Sequence, residues 1–343
     1  MSSAFIRTLG VDVPLIAAPM AGGAGTPALV VAAARAGGLG FLAAGYKTPQ
    51  ALEAEITTVG AAEVPFGVNL FVPNPVPIDS AALRRYADLL AAEAGRHGVT
   101  LDPVPVEDDD RWQDKLDVLR ARPVPVISLT FGIPSRADLA ALRATGALLV
   151  QTVTSIEEAK AAAAAGVDAL AVQAAAAGGH YGAFDPSAPV TGTALTDLVA
   201  AIRHAVDLPL IAAGGLSTPQ DVAAVVSAGA DAAAVGTVLL RSDEAGTSAV
   251  HRAALTDPDR TGTVVTRAFT GRPARALRNE FTDRYGELAP YGYPAVHHLT
   301  AGLRRAAAAA GDPERVHLWA GTGYRRAADG PAAAILTGLA ARL

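Results

Sequence analysis

Gln173 ends an apolar run, and after four alanines the chain reads Gly178-Gly179-His180-Tyr181-Gly182. An imidazole carried between glycines on a loop suits proton transfer or polarisation of an anionic substrate near neutral pH, and functional side chains concentrate on such loops. The Gln173 amide can both donate to and accept from a flat heterocycle, or it can be satisfied by neighbouring backbone. Two more glycine loops follow apolar runs, Ala213-Gly214-Gly215 and Gly236-Thr237. Glycine lets the backbone approach a phosphate closely, and amides at the next helix start point at the anion. Ordinary turn chemistry is the other use of such glycines. Asn69 interrupts the apolar stretch Phe66–Phe71, where it can hydrogen-bond a ring or cap the following turn. Met20, after Pro19, offers a flexible thioether for contact with a planar ring or for core packing.

The other histidines read more plainly. His97, His204 and His251 fall near predicted helix ends, and at a C-terminus a positive group suits the dipole. His297 and His298 are adjacent, so on a helix they point apart, and they could line a pocket. His317, beside Trp319, is assigned no role. No H-E-x-x-H or comparable spacing is present, so no protein-bound metal is expected. No G-x-S-x-G marks a nucleophile elbow, and the loop Ala21-Gly22-Gly23-Ala24-Gly25 is not the G-x-G-x-x-G dinucleotide fingerprint. The chain of 343 residues has no cysteine, which removes disulfides, thiolate nucleophiles and iron–sulfur clusters. A net charge of −5 gives no electrostatic footprint for nucleic acid. The high mean hydropathy, +0.30, comes largely from alanine, and no uninterrupted run approaches the ~18 apolar residues of a membrane helix. Met1–Thr8 does not read as a signal peptide, so a soluble cytoplasmic protein is expected.

These residues need a scaffold that brings loops together. Eight short apolar runs recur: 14–19, 39–43, 66–71, 124–129, 147–152, 169–173, 208–213 and 232–237. They are nearly continuously apolar, as parallel strands covered on both faces are. Alanine-rich helical stretches follow most of them, at about 26–36, 48–58, 155–165, 193–205, 218–228 and 243–255. Thr26-Pro27, Thr48-Pro49 and Thr218-Pro219 read as N-caps with proline at the first helical position. Ser155 and Glu158 have capping-box spacing. Gly166-Val-Asp168 and Gly229-Ala-Asp231 read as equivalent turns from helix to strand. Eight such units predict a (β/α)8 TIM barrel, with a doubly wound sheet as the alternative. The site would then lie at the C-terminal strand ends, with phosphate in the loops after the seventh and eighth strands. Residues 79–122 are read as two helices, one ending near His97 and one starting at Glu107, where the acidic run Glu107–Asp110 would be a solvated helix N-terminus. Residues 256–324 are read as a small helical cap over the barrel mouth, the barrel itself being 1–255 and 325–343.

The blocks Ala18-Pro19-Met20-Ala21-Gly22-Gly23, Pro65–Phe71, Gln173 through Gly178-Gly179-His180-x-Gly182, Ala213-Gly214-Gly215 and Gly236-Thr237 occur in an order that resembles the nitronate monooxygenases, also called 2-nitropropane dioxygenases. The tail Leu318-Trp319-Ala320-Gly321-x-Gly323 is similar too. The resemblance implies an FMN-dependent TIM-barrel enzyme that oxidises alkyl nitronates with O2 to a carbonyl compound and nitrite, and possibly nitroalkanes as well. It implies that Met20, Asn69 and Gln173 lie by the flavin ring. Gly178, Gly179, Gly214, Gly215, Gly236 and Thr237 surround its phosphate end, and His180 faces the substrate. The chain departs from one subgroup's pattern at Thr130, where histidine is usual, and at Ala234, where glutamine is common. Tyr291, Tyr293 and Tyr324 are candidates for the substrate pocket by composition alone. The departure at Thr130 keeps a second expectation in play: an NADH-using enoyl-thioester or quinone reductase on the same flavin scaffold. A small-molecule substrate, no nucleic-acid or membrane partner and a possible homodimer complete the expectations.

With one phosphate cradle and no dinucleotide fingerprint, denaturing the purified protein should release FMN. Chromatographic recovery of FAD would contradict that reading.

Overall fold

The structure, a computed structural model, describes residues 4–343; residues 1–3 of the N-terminal stretch considered above lie outside the described residues. In chain order the strands are β1 Leu15–Ala17, β2 Leu39–Ala43, β3 Phe66–Phe71, β4 Val126–Thr130, β5 Leu148–Val153, β6 Ala169–Gln173, β7 Gly179–His180, β8 Leu210–Ala213, β9 Ala232–Val235, β10 Thr263–Thr266 and β11 Ala274–Leu277. The helices are α1 Ala4–Thr8, α2 Pro27–Arg35, α3 Pro49–Gly60, α4 Ser80–Arg96, α5 Trp112–Ala121, α6 Arg136–Arg143 and α7 Ile156–Ala165. After them come α8 Leu195–Ala205, α9 Pro219–Ser227, α10 Ala249–Thr256, α11 Glu280–Tyr285, α12 Ala295–Ala309 and α13 Ala332–Leu339. Strands β1–β6, β8 and β9 form one closed parallel barrel, with β1 pairing β9 to shut it. These eight strands coincide with the eight apolar runs, so the TIM barrel is the fold and the open sheet is not.

The strands are apolar throughout because both faces are buried. Ile16, Phe41, Val150 and Ile211 point into the barrel, where they pack with Phe5, Ile6 and Leu9 from α1 and its flank. That cluster includes the first residues of several strands, Leu39, Val126, Ala169 and Ala232, so α1 plugs the N-terminal end. Leu15, Leu42, Val68, Leu129 and Leu149 point outward under the helices. The N-caps form as read: Thr26, Thr48 and Thr218 accept from the amides of Leu29, Ala51 and Asp221. The two helix-to-strand turns are indeed equivalent. Asp168 accepts from Leu149 N and Asp231 from Leu210 N, each at the start of the preceding strand, at 2.8 and 2.9 Å.

Four expectations need correction. Ser155 caps α7, but Glu158 does not return to it; its carboxylate takes Thr154 N and Oγ1 and Phe184 N, tying down the stretch that follows β7. The helix read from residue 243 begins at Ala249, capped by Ser248, because Gly246 N bonds out to the Ala24 carbonyl instead of within a helix. The cap is not purely helical: β10, β11 and β7 form a three-stranded sheet. Glu107–Asp110 is not a helix N-terminus, because α5 starts at Trp112 and Asp110 turns back as the ion-pair partner of buried Lys115 at 2.7 Å.

The excursion after β3 and the cap share one apolar core, with Leu83, Tyr86 and Leu90 of α4 against Phe269, Phe281, Tyr285, Val296 and Leu303. Buried Glu93 on α4 joins Arg315, Arg284, Arg96 and the Tyr285 hydroxyl across that contact. Helix α13 returns to pack on α2 and α9. Among the described residues no helix is long and apolar enough to cross a membrane.

Removing either turn carboxylate leaves a strand-initiating amide without its partner, which costs about 1–3 kcal/mol. Asp231→Ala should destabilise more than Asp168→Ala, because Asp231 also pairs with Arg203 at 2.7 Å. Urea denaturation of the two variants checks the order.

Candidate active site

Met20, Asn69, Gln173, Gly178, Gly179, His180, Gly214, Gly215, Gly236 and Thr237 all line one cavity of about 550 Å³ at the C-terminal ends of the barrel strands. They come from five strand ends and the loops beyond them, those of β1, β3, β6, β8 and β9, as the barrel arrangement allows. His180 is placed by β7, which pairs antiparallel with β11 so that His180 lies opposite Ala274 and Gly179 opposite Arg275. The Gln173 amide secures the same loop: it donates to the His180 carbonyl at 3.1 Å and accepts from Gly182 N at 2.7 Å. Of the two uses read for Gln173, neighbouring backbone therefore takes one hydrogen and one lone pair, and the other pair faces the cavity wall. Gly178 packs on Gly321, where a Cβ would come within 2.6 Å of the Gly321 nitrogen, so the loop and the C-terminal segment close together only with glycine. Thr237 Oγ1 accepts from Gly321 N at 2.9 Å. Asn69 is buried and donates to Ser128 Oγ at 2.8 Å and Thr130 Oγ1 at 3.0 Å, which gives Thr130 a definite role in holding that amide.

Tyr46, Phe71, Phe131 and Arg304 escaped the sequence reading as site residues, and they meet His180 and the pocket candidates Tyr293 and His297. His180, Phe71, Tyr46, His297 and Tyr293 form a closed ring of aromatic contacts, with centroid separations of 6.4, 5.6, 4.3, 6.5 and 5.8 Å in that order. Phe131 backs it and Trp319 stacks obliquely on His180 at 5.5 Å. Arg304 lines the cavity from α12, almost fully buried. Its nitrogens reach His297 Nδ1 at 3.2 Å and His317 Nδ1 at 3.3 Å, and no carboxylate pairs with it among the described residues. An arginine only donates, so His297 Nδ1 is an unprotonated acceptor. Arg272 is also wholly buried without a carboxylate partner, its guanidinium 3.8 Å over the Phe131 ring. The available signal for Arg304 was spacing, since His297, Ala301 and Arg304 recur on one helical face.

Other expectations shift. His317 is a wall residue, not a bystander, and His251 sits inside α10 facing the cavity, with Nε2 buried and unpartnered. His297 and His298 do point apart: His297 faces the cavity, while His298 reaches Asp108 at 3.0 Å. Of the three tyrosines only Tyr293 joins the site. Tyr324 bonds the Arg260 carbonyl, and Tyr291 lies under Arg267 at the surface.

Burial and nearby positive charge keep the site's histidines neutral. Desolvation, then Arg272 and Arg304, press His180 down to about 3. Desolvation and Arg304 hold His297 at about 2 and His317 well below its ordinary value, and desolvation takes His251 to about 4. Thr270 Oγ1 lies 2.9 Å from His180 Nε2 and donates to the Arg272 carbonyl, so its lone pairs face Nε2 and favour the Nε2–H tautomer. Desolvation lowers Arg304 and Arg272 only to about 10, so both remain cations at neutral pH.

The sequence model of the nitronate monooxygenase family matches residues 3–341. The chain belongs to the nitronate monooxygenase family. It is 35% identical over 342 residues to the probable nitronate monooxygenase of Staphylococcus aureus strain Newman, covering 97% of this chain and 95% of that one. It is 47% identical to the solved nitroalkane oxidase of Streptomyces ansochromogenes, with a TM-score of 0.94 over 98% of this chain and 97% of the other. It is also similar to FabK from Thermotoga maritima, at 25% identity and a TM-score of 0.76 over 99% and 95% of the two chains. A flavin-dependent oxidoreductase of this family accounts for a barrel-mouth cavity roofed by aromatic rings.

Neutral buried histidines make this fold acid-sensitive. In the unfolded chain they titrate near ~6.5; in the fold they stay neutral to about 3, 4 and 2 for His180, His251 and His297. Between about pH 6.5 and 4 the unfolded state binds protons that the native state refuses, so stability falls as pH falls, by up to roughly 1.4 kcal/mol per pH unit for each histidine. Denaturation midpoints should drop steadily from pH 7 to 5, and His317→Gln should flatten that slope; a flat wild-type profile would contradict the assignment.

Proposed function

We propose that this enzyme oxidises alkyl nitronates at bound FMN with dioxygen, giving a carbonyl compound and nitrite. The observation that carries the reading is Arg304, a buried cation on the cavity wall with neutral histidines and no carboxylate around it. A buried charge lacking a counter-ion is costly, and an anionic substrate supplies one. Arg272, behind Phe131, adds to the positive potential. A nitronate is an anion with two oxygens on a planar centre, which suits both the charge and the flat aromatic walls.

The residues fit FMN in two respects. Glycines of three strand-end loops converge on one end of the cavity with Thr237 and Gly321, in the position where this fold holds phosphate. Met20, Asn69 and Gln173 line the same cavity, with polar atoms available to a ring edge. In the bound enzyme those glycine loops would hold the phosphate, and Met20, Asn69 and Gln173 would flank the isoalloxazine. The bound flavin supplies electron acceptance from the nitronate and passage to dioxygen. The chain's own part is to bind the anion, exclude water with its ring of aromatics and move a proton where one must move. With its Nε2–H held by Thr270, neutral His180 has Nδ1 left to take the proton of a neutral nitroalkane. An anion beside it would offset Arg272 and Arg304 and raise its basicity. A histidine limb near pH 6–7, the ordinary range, is therefore not expected of the free enzyme.

The NADH-using reductase remains the second reading, supported by Thr130 in place of histidine and by the likeness to FabK. Two assays separate the readings. The purified protein should consume oxygen with an alkyl nitronate and no NADH, whereas NADH oxidation without a nitro compound would favour the reductase. Arg304→Met should raise KM for the nitronate about 10–100-fold, the worth of a charge-assisted hydrogen bond. His180→Asn should keep the flavin and lose ~10²–10⁴-fold on the neutral nitroalkane, with a smaller loss on the preformed nitronate. Equal, small losses on both would remove His180 from the chemistry.

A further inference from the structure

We propose that Tyr46 is a hydrogen-bond donor to an oxygen of the substrate's planar anionic group, held in place for that purpose by Asp110 and Lys115. The proposal rests on the nitronate reading above and assigns part of the anion's recognition to a residue outside the family motifs. Tyr46 stands three residues beyond the end of β2, on the cavity wall, with 37% of its surface accessible.

Its backbone is in the left-handed region, with φ of +67°. That is a genuine outlier for a bulky residue, and such strain persists only where surrounding structure enforces it, most often at functional sites. The enforcing contacts are specific. Tyr46 N donates to Asp110 Oδ1 at 2.9 Å, and Asp110 Oδ2 pairs with Lys115 Nζ at 2.7 Å. Lys115 is fully buried and also donates to the Ala44 carbonyl at 2.9 Å. Asp110 and Arg111 are themselves left-handed, with φ of +59° and +57°. Three strained residues and a buried ion pair thus converge on one rim tyrosine. The acidic run 107–110 thereby acquires a purpose: Asp110 holds Tyr46, and Asp108 holds His298 on α12, next to His297.

The side chain is aimed as firmly as the backbone. Its ring stacks flat on His297 at 4.3 Å and 2°, and meets Phe71 edge-on at 5.6 Å. Phe71 can lie there because residue 45 is glycine; a Cβ at Gly45 would sit 2.3 Å from the Phe71 ring. The Tyr46 and Tyr293 hydroxyls are near neighbours, and no acceptor within hydrogen-bond distance takes the Tyr46 hydrogen among the described residues. Packed protein around the phenol pushes it up to about 12, so the hydrogen stays on. At the edge of the same imidazole, Arg304 donates to Nδ1 at 3.2 Å. A neutral donor and a cation flank one imidazole, an arrangement suited to an oxyanion carrying two oxygens on a planar centre.

Tyr46→Phe keeps the ring, its stack on His297 and the strained backbone, and removes only the hydroxyl. Inorganic nitrite, a planar oxyanion, is titrated into the flavin-loaded enzyme and followed by the flavin absorbance, beside steady-state kinetics with an alkyl nitronate. The variant should keep the wild-type flavin content and melting temperature. Its Kd for nitrite and KM for the nitronate should rise about tenfold, with kcat changed less. Asp110→Asn should move both constants in the same direction through misplacement of Tyr46. Unchanged Kd and KM in Tyr46→Phe, or no nitrite binding by the wild type, would overturn the proposal. Wild-type enzyme that binds nitrite but does not turn over nitronates would overturn the reaction assignment alone, and a raised nitrite Kd in Tyr46→Phe would still support the Tyr46 assignment.

Discussion

The pairing of two residues, Gly179 and His180, with β11 is the contact on which the site depends. A barrel alone leaves its C-terminal loops as separate excursions. Here the loop after β6 becomes the edge strand of the cap sheet, so His180 is fixed by a ladder, and the same sheet carries Arg275 to the Ala175 carbonyl at 2.6 Å. On one side Gln173 anchors this loop to the barrel. On the other, Gly178 meets Gly321 of the C-terminal segment. Barrel, cap and tail are thus joined at the cavity, and each holds part of its wall.

That closure sets the electrostatics. Taking Arg304, Arg272 and several imidazoles out of water penalises every charge, and the histidines respond by remaining neutral. The arginines cannot, since their pKa stays near 10. The outcome is an aromatic-walled cavity that carries positive charge, with no carboxylate paired to Arg304 or Arg272 among the described residues. Such a site favours an anionic ligand by charge before shape. The neutral imidazoles then serve as hydrogen-bonding partners of variable polarity instead of competing cations.

The cap is held by interactions that the reaction does not use. The α4 excursion and the segment from β10 to Trp319 share a core and the buried Glu93 cluster. Rigidity there matters because cage residues come from both sides of the joint: Tyr46 and Phe71 from barrel strand ends, Tyr293, His297 and Arg304 from the cap. A site assembled from two bodies is only as well ordered as the contact between them.

The sequence by itself determined the barrel, its loops and the residues within them. Period, capping hydroxyls and glycines act over a few residues, and the strand order follows once eight covered strands must close. For the same reason His180, Gln173, Asn69 and the glycine loops were legible: each sits in a short motif at a strand end. Tertiary structure alone decided the rest. Tyr46, Phe131 and Arg304 lie in segments whose local pattern is that of any packed helix or turn, and an aromatic residue such as Phe71 or Tyr293 reads equally well as core or as cavity wall. Asp110 looked like a solvated helix start because its partner, Lys115, is recognisable as buried only after α5 packs on the barrel. His317 carried no local signal either, since its neutrality and its place beside Arg304 come from burial, which depends on contacts between residues far apart in the chain.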